Sequence, residues 1–403
     1  MGTERVGDGE PLSDGKVYNN PYARNVWSMQ PFDGKIFIGC GNFDNGGPGA
    51  NASPAPIFAL DPKTKKITLE WRAPDEQVDV FRIINGDLYV PGTDPTEPWD
   101  LGNWYRRKPG KIKEMSKNEC NWEKHRNLPK ALHTFDICAR DGKFYTSGYG
   151  ILESKDNCAT FKEIPNVFHI RYYAFLVFPK NIYAVGENFS PDKMMYKNGK
   201  MHPAPGAVIR AGLVRYDAAK GFVQVEGGIN FPDVFPKTEL TEPQTGHTYL
   251  RRAWSFKDRV LYIACTKREQ VGAYTAADGK KRFTAERIKH PAGWLPYYFA
   301  VGDDAAYLVC AEKVADTPPG GKWVNHVLVS ADGRAWTQLL SFKCASFARS
   351  AAVLDGYLYF GLGANFKDYG KSHDNRVDYN WSPDELSPAS GEIWRVKIPA
   401  RKK

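Results

Sequence analysis

The chain has 403 residues, of which 42% are hydrophobic and 13% aromatic, so it can bury a sizeable core. No apolar run approaches the roughly 20 residues of a membrane-spanning helix, and we therefore expect no membrane span. The net charge of +9 permits an anionic partner, but Lys and Arg are too dispersed for the basic stripe typical of nucleic-acid binding, so we expect no nucleic-acid partner.

One pattern recurs along the chain: a short strand, a tight turn, and a second strand that carries an aromatic residue. Its copies begin at Asn25, Gln77, His133, Arg171, Leu250, Leu295 and Phe347. Asp-Gly and Asn-Gly turns between β-rich runs predict hairpins, and a second, less regular hairpin follows each copy. Four strands per repeat predict an all-β fold, a single seven-bladed β-propeller over residues 1–403 with four antiparallel strands per blade.

The two ends of the chain are expected to close the ring of blades. Residues 15–18 should add a strand to the last blade, whose C-terminal part runs from Ile393 to Ile398. Pairing the two ends would protect the edges of that sheet. Helix should be scarce because no long stretch shows a period of 3.6 residues.

The second-strand aromatic residue aligns the seven repeats. It is Phe37, Tyr89, Tyr145, Tyr183, Tyr262, Tyr307 and Tyr359. Three residues later the position is mostly small, as expected where adjacent blades press together: Cys40, Gly92, Gly148, Gly186, Cys265, Cys310 and Leu362. An odd total of seven cysteines excludes a complete disulfide framework. We therefore predict that Cys40, Cys265 and Cys310 are buried thiols at equivalent positions, and a redox or metal role is the alternative.

The connections between second and third strands should surround one mouth of the central channel. Several of them are long, and long loops on a rigid scaffold often carry function. They cover residues 41–56, 92–103, 187–212, 311–325 and 362–390. The last one, which contains Trp381, is expected to form a lid or wall, with a solvated insertion as the alternative.

Two positions of the innermost strands should encircle that mouth. Ten residues before the aligned aromatic residue stand Trp27, Asp79, Phe135, Tyr173, Arg252, Tyr297 and Arg349. Twelve residues before it stand Asn25, Gln77, His133, Arg171, Leu250, Leu295 and Phe347. The Arg and Tyr side chains would either bridge blades through backbone carbonyls or bind an anionic sugar. In the second case the positive charge should lower the pKa of a nearby Tyr, and Tyr with His would form an acid and base pair.

Two segments resemble the Asp-box of sialidase-like (BNR) propellers, roughly S-x-D-x-G-x-T-W. They read SKDNCATF from Ser154 and SADGRAW from Ser330. Each lies where a third strand should turn into a fourth. The first has Cys158 in place of the Gly, and the second is one residue short. The resemblance implies a turn whose Ser and Asp bond the backbone, which bears on architecture rather than on activity.

The ring of residues resembles that of propeller polysaccharide lyases of the ulvan lyase type and of the related propeller glycosidases. The resemblance implies β-elimination on an acidic, uronate-containing polysaccharide. Tyr173 or Tyr297 would be its acid or base, His133 the partner, and Arg252 with Arg349 the carboxylate clamp. The further binding residues proposed for the substrate are Arg171, Asn25, Trp27, Asp79, Trp104 and Trp381.

Three other functions remain open on the sequence. A sialidase would use an arginine triad, but its six blades and its Y/F-R-I-P motif are not found here. A two-carboxylate glycoside hydrolase could use Asp79 and Asp136, with Glu76 nearby. A non-catalytic glycan- or protein-binding propeller is the alternative from a different class, and it requires no acid and base pair in contact.

No cofactor is expected. A structural Ca²⁺ could be held by Asp44 with Asn45, or by Asp374, Asn375 and Asp378, although acidic loops are commonly just solvated. No hydrophobic signal segment opens the chain, so we expect a secreted or periplasmic monomer whose export signal has been removed.

Overall fold

The computed structural model describes most of the chain and so defines every blade. Its described residues are 4–7, 26–41, 55–110, 121–130, 133–165, 167–189, 194–197, 200–203, 210–237, 249–265, 270–279, 281–315, 322–363 and 391–399. The strands of these segments form a seven-bladed β-propeller in which each blade is a sheet of four antiparallel strands. The predicted fold class is confirmed.

Tight turns in the left-handed region join the first two strands of several blades. Asp33-Gly34 and Asn85-Gly86 both have positive φ at each residue, as do the turns Asp141-Gly142 and Asp355-Gly356. This is the type I′ geometry, whose twist matches that of the two strands it connects. The Asp-Gly and Asn-Gly signals in the sequence therefore have a direct conformational cause.

The first three blades follow one another from the N-terminal part of the chain. Blade 1 is made of β2 (Ser28–Phe32), β3 (Lys35–Gly39), β4 (Ala55–Leu60) and β5 (Ile67–Ala73). Blade 2 is made of β7 (Arg82–Ile84), β8 (Asp87–Pro91), β10 (Leu101–Arg107) and β11 (Trp122–Pro129), beside a small ladder of β6 (Asp75–Gln77) with β9 (Thr93–Pro95). Blade 3 is made of β12 (Asp136–Arg140), β13 (Lys143–Gly148), β14 (Gly150–Ser154) and β15 (Lys162–Glu163).

The next three blades contain the only helix of the described segments, α1 (Phe231–Val234). Blade 4 is made of β16 (Tyr172–Val177), β17 (Ile182–Phe189), β20 (Arg210–Asp217) and β21 (Gly221–Gln224), with a separate hairpin of β18 (Met194–Lys197) and β19 (Lys200–Pro203). Blade 5 is made of β22 (Tyr249–Phe256), β23 (Arg259–Cys265), β24 (Gln270–Ala277) and β25 (Thr284–Arg287). Blade 6 is made of β26 (Leu295–Val301), β27 (Ala306–Ala315), β28 (Lys322–Ser330) and β29 (Thr337–Cys344).

Blade 7 joins the two ends of the chain. It is made of β30 (Phe347–Leu354), β31 (Tyr357–Gly363), β32 (Ile393–Lys397) and β1 (Glu4–Gly7). The N-terminal strand pairs with β32, Glu4 lying opposite Arg395. Closure by the N-terminus is therefore found, but through β1 instead of residues 15–18, which lie outside the described residues.

The core lies between neighbouring blades. Tyr359 and Ile393 of blade 7, for example, pack in one buried cluster with Ile38 and Phe58 of blade 1. Each aligned aromatic residue is buried, from 0% exposed for Phe37 to 5% for Tyr307. A repeat of this kind buries its apolar faces only when the blades stack side by side, which is why the pattern had to extend over the whole chain.

Blade 5 departs from the register that the sequence predicts. In the other six blades the aligned aromatic residue pairs with the residue seven positions earlier, as Tyr359 pairs with Ala352. In blade 5 Tyr262 pairs with Ala253, and Leu261 pairs with Trp254, seven positions earlier. The equivalent residue is therefore Leu261, because a shift of one residue exchanges the two faces of a strand.

This shift corrects part of the cysteine prediction. Cys40 and Cys310 are fully buried at equivalent positions and form no disulfide. Burial raises the pKa of both thiols well above the ordinary value. Cys265 is also buried, but it stands one position out of register with them. All three thiols are therefore packed inside, and only two are structurally equivalent.

Both Asp-box-like segments form side-chain-bonded turns between third and fourth strands. Ser154 Oγ donates to Asp156 Oδ1 over 2.8 Å and accepts the backbone N–H of Cys158 over 2.9 Å. Ser330 Oγ donates to Asp332 Oδ1 over 3.0 Å and accepts the N–H of Gly333 over 2.8 Å. These bonds replace the ladder bonds that the chain loses at the turn.

No described helix is long and apolar enough to cross a membrane. The described residues also contain no group of three His, Cys, Asp or Glu side chains that could hold a metal ion. The residues considered for Ca²⁺, namely Asp44, Asn45, Asp374, Asn375 and Asp378, lie outside the described segments.

Candidate functional site

One edge of the blades carries nearly all the residues that the sequence singles out. Innermost strands begin at this edge and second strands end there, as β12 begins after His133 and β13 ends at Gly148. Of the five long connections predicted there, residues 311–325 are mostly strand, because β27 and β28 extend to Ala315 and from Lys322. Residues 42–54 and 364–390 are outside the described part.

A first pocket at this edge brings together side chains of several blades. We call it the arginine pocket, and its space is about 360 Å³ with open solvent included. Its lining residues are Trp27, Arg252, Trp254, Ile263, Cys265, Tyr297 and Arg349. Tyr297 and Arg349 each stand at a β-bulge of their strand, between Pro296 and Tyr298 and between Ala348 and Ser350. A bulge re-aims a side chain, which explains why these residues turn toward the pocket.

The two arginines of this pocket make contacts within the protein. The guanidinium of Arg349 lies 3.6 Å from the ring centroid of Trp27. Arg252 Nη1 donates to the backbone oxygen of Trp27 over 2.6 Å, and its Nη2 lies 3.8 Å from Asp79 Oδ2. Arg252 therefore connects blade 5 to blade 1 and to the segment before β7. This is the bridging role that the structural alternative in the sequence predicts.

A second group of residues joins blades 2, 3 and 4 at the same edge. We call Asp94, His133, Tyr149, Arg171 and Tyr173 the histidine cluster. His133 Nδ1 lies 2.5 Å from Asp94 Oδ1, and Arg171 Nη2 lies 3.4 Å from His133 Nε2. Asp94 has a φ of +51°, an uncommon conformation for a non-glycine residue. The carboxylate favours the proton on Nδ1 and leaves Nε2 as the proton acceptor.

Two tyrosines hold the guanidinium of Arg171. Arg171 Nε donates to the Tyr149 hydroxyl over 3.0 Å, and Tyr149 is 44% exposed. Arg171 also hydrogen-bonds Tyr173, whose pKa is raised to about 12 because burial outweighs the opposing effect of Arg171, with Glu187 adding to the rise. Arg171 does lower the pKa of Tyr173, as expected, but burial is the larger effect and the net shift is upward. Its hydroxyl stays protonated at neutral pH.

Glycine at position 148 allows the histidine cluster to assemble. A Cβ at Gly148 would lie 2.3 Å from the backbone oxygen of His133, closer than real atoms approach. The small residue that the repeat shows at this position therefore has a steric reason at the site itself. Tyr149 is the single residue between β13 and β14, which begins at Gly150.

The remaining predicted residues fall into three groups. Trp104 lies on β10 with only 1% of its surface exposed, stacked on His125 with ring centroids 3.9 Å apart, so its faces are not available to a ligand. Tyr297 stacks on Phe347 at 4.3 Å, within the arginine pocket. Asn25 and Trp381 lie outside the described residues.

The sequence reasoning missed the role of Arg82. Its Nε and Nη2 donate to both oxygens of Asp136, over 2.8 and 2.6 Å, and its Nη1 donates to the backbone oxygen of Ala253 over 2.9 Å. Arg82 thereby links blades 2, 3 and 5 across the channel. The position seven residues before the aligned aromatic residue is charged in this repeat alone, a signal that could have identified it.

Asp94 and Tyr149 were also missed. Both follow the end of a second strand, where they contact residues that precede the next blade, as in the bridges between Tyr149 and Arg171 and between Thr93 and His133. Only the packing of blades 2, 3 and 4 side by side creates these contacts. The adjacency of Tyr149 to the small residue Gly148 was the one signal available in the sequence.

Comparison with known proteins bears on the fold. No protein-family model matches the chain, and no curated protein is significantly similar to it. An ulvan lyase, a polysaccharide lyase bound to GlcA(1-4)Rha3S, is 11% identical with a TM-score of 0.47, covering 90% of this chain and 92% of that one. The Niastella koreensis GH74 enzyme is 11% identical with a TM-score of 0.47, covering 90% of this chain and 53% of that one. The structure of YCF48 bound to the D1 peptide is 10% identical with a TM-score of 0.46, covering 94% and 95%.

These similarities are ones of architecture. At such low identity they do not transfer an activity, a substrate or a partner to this chain.

Proposed function

We propose that this chain is a carbohydrate-active propeller that cleaves a uronate-containing polysaccharide by β-elimination at the channel mouth. The observation that carries the proposal is the histidine cluster, in which the imidazole of His133 stands between the carboxylate of Asp94 and the guanidinium of Arg171. An acid and base pair beside a cation is what the reaction requires.

Each member of the cluster has one role in the reaction. Arg171 pairs with the uronate carboxylate and makes the C5 proton more acidic. His133 Nε2 removes that proton, because Nδ1 is held by Asp94. The C5–H electron pair forms the C4–C5 double bond while the C4–O bond breaks, and the Tyr149 hydroxyl protonates the departing oxygen. Tyr173 hydrogen-bonds and positions Arg171 behind the exposed Tyr149.

The arginine pocket would bind a further part of the acidic glycan. Arg349 and Trp27 present a cation lying on an aromatic face, and Tyr297 adds a hydroxyl to the same lining. In this role Arg349 is the binding cation, whereas Arg252 maintains the contact between blades. An enzyme that acts on such polymers would be secreted or periplasmic.

Hydrolysis by paired carboxylates has less support in the geometry. Asp136 accepts hydrogen bonds from Arg82 and from the backbone N–H groups of Ile137 and Phe175, at 2.6 to 2.8 Å. Its oxygens are therefore occupied, so Asp136 is not available to act with Asp79 as an acid and base pair.

The test is an assay of the purified chain on a panel of acidic polysaccharides, monitored by the ultraviolet absorbance of an unsaturated uronate. His133→Ala and Tyr149→Phe should each lower kcat by roughly 10²–10⁴-fold, the usual contribution of a positioned acid or base. Tyr173→Phe should cost less. Arg334→Ala, which removes an exposed arginine outside the site, is the matched control and should leave the rate unchanged.

The non-catalytic alternative has its own observation, because Arg252 is already engaged by the Trp27 carbonyl. A binding protein would retain affinity for acidic glycans in all these variants and would release no unsaturated product from any polysaccharide. That result would overturn the proposed reaction.

A further inference from the structure

A second pocket lies beside the histidine cluster, between the outer strand of blade 2 and the β13–β14 turn of blade 3. We call it the lysine pocket, and its space is about 290 Å³ with open solvent included. Its polar lining comes from Lys130, His133, Thr134, Thr146, Ser147 and Tyr149. His133 and Tyr149 thus belong to both the cluster and the pocket.

Ser147 is a buried polar residue of this pocket whose hydroxyl lacks a hydrogen-bond partner. It is only 1% exposed, and its hydroxyl makes no hydrogen bond with any described residue. A buried hydroxyl without a partner costs free energy, because it has lost its hydrogen bonds to water. Since Ser147 lines the pocket, a bound ligand atom would satisfy it.

Lys130 supplies the ammonium group of the described lining. The residue is exposed, has a φ of +53°, and its backbone N–H donates to the oxygen of Asp100 over 3.0 Å. These constraints fix the backbone of Lys130 at the end of the blade 2 sheet. The ammonium group and the Ser147 hydroxyl together are hydrogen-bond donors for an anion.

We propose that the lysine pocket binds the anionic substituent, a carboxylate or a sulfate ester, of the sugar next to the one that reacts at His133. The inference rests on the proposed function, because the shared residues His133 and Tyr149 define which sugar is next. It assigns Lys130 and Ser147 as specificity-determining residues that do not take part in proton transfer.

Binding of small probes to the purified chain tests this proposal. Methyl glucuronide carries a carboxylate, glucose 6-sulfate carries a sulfate ester, and methyl glucoside is the neutral probe. In titration calorimetry or ligand-observed NMR, at least one anionic probe should bind more tightly than methyl glucoside. Lys130→Ala should weaken that anionic probe by roughly tenfold or more, the loss of a charge-assisted contact. Lys281→Ala, an exposed lysine on the β24–β25 connection, should leave it unchanged.

Ser147→Ala separates a ligand role from a structural one. Because the hydroxyl has no described partner, its removal should not lower the melting temperature, whereas it should weaken the anionic probe several-fold. Whichever of the two anionic probes binds more tightly identifies the substituent. Equal binding of methyl glucoside and both anionic probes, or unchanged affinity in Lys130→Ala, would overturn the proposal.

Failure of the lysine-pocket proposal can be distinguished from failure of the proposed function. Probe binding that depends on Lys130, without turnover of any polysaccharide, would reject β-elimination and keep the anion pocket. Turnover that depends on His133, with KM and probe affinity unaffected by Lys130→Ala, would reject the pocket and keep the reaction.

Discussion

At the scale of single residues, the electrostatics of the mouth are governed by burial. Tyr173 illustrates this: it hydrogen-bonds a guanidinium, and yet its pKa is raised to about 12 because desolvation is the larger effect. The arginine nearby decides the orientation of the hydroxyl, and the burial decides its protonation. Such a tyrosine can hold a cation in place but cannot serve as a base near neutral pH.

Asp75 is the carboxyl group on which burial acts most plainly. It is fully buried beside the mouth, and desolvation raises its pKa to about 7 although Tyr105 and Asn103 donate hydrogen bonds to it. Between about pH 4 and pH 7, Asp75 therefore keeps its proton in the folded state and releases it in the unfolded chain, where its pKa is near 4. This contribution to stability is complete below about pH 4 and is lost as the pH rises to about 7.

Asp75→Asn tests this pH dependence. The amide keeps the shape and an accepting oxygen for Tyr105 but cannot ionise. We expect the variant to gain stability relative to the wild type between pH 4 and pH 7, by a few kcal/mol in total, and no further above pH 7. Urea unfolding at several pH values measures it. A difference between the two proteins that stays constant with pH would contradict the assignment.

At the scale of elements, two turns join the third strand of a blade to the fourth, one built on Ser154 and Asp156 and the other on Ser330 and Asp332. Asp156 accepts from the Thr160 hydroxyl, the Thr160 N–H and the Ser154 hydroxyl, and these bonds lower its pKa to about 2. The depressed pKa means that the charged form stabilises the folded turn above an ordinary pKa of about 4. That stabilisation is lost as the pH falls from about 4 to about 2.

Asp156→Asn should therefore lower the melting temperature at neutral pH, and the difference from the wild type should shrink near pH 2. Asp332→Asn at the corresponding turn of blade 6 should behave in the same way, because the pKa of Asp332 is also lowered, first by the backbone N–H of Arg334. Calorimetry across this pH range measures both. Equal destabilisation at pH 7 and pH 2 would show that the turns do not depend on the carboxylate charge.

The elements also show where a repeat-based alignment fails. The Lys257-Asp258 turn of blade 5 lacks the Asp-Gly signature, and the aromatic residue Tyr262 stands one position after the site that the other blades use. The position of Tyr262 predicted one register for blade 5, and the observed pairing of β22 with β23 gives another, shifted by one residue. Arg252 consequently reaches the arginine pocket from the neighbouring position on its strand.

At the scale of the whole molecule, the Arg82–Asp136 pair ties blades together across the channel. Asp136 is buried and would retain an uncompensated charge if Arg82 were removed. Arg82→Met should lower the free energy of unfolding by about 3–5 kcal/mol, the usual cost of breaking a buried pair. Chemical denaturation measures this change. Arg334→Ala, which breaks the exposed pair with Asp258, should change stability by less than about 1 kcal/mol.

If Arg82→Met lowered the free energy of unfolding as little as Arg334→Ala does, water would have to solvate the side of Asp136 that faces the channel. The double variant Arg82→Met with Asp136→Asn provides a further check. The double variant should recover part of the lost unfolding free energy, because it removes the Asp136 charge that Arg82→Met leaves buried and unpaired.

The sequence by itself determined the propeller. Each repeat is a set of hairpins with an aromatic residue at a fixed place, and that apolar face is buried only when the sheets pack against one another. It also located the mouth and three members of the histidine cluster, His133, Arg171 and Tyr173, since equivalent positions of a repeat lie on one ring. The contacts of Asp94, Tyr149 and Arg82 were decided by the tertiary structure. Their partners belong to neighbouring or opposite blades, and no spacing along the chain encodes which side chains meet when a ring closes.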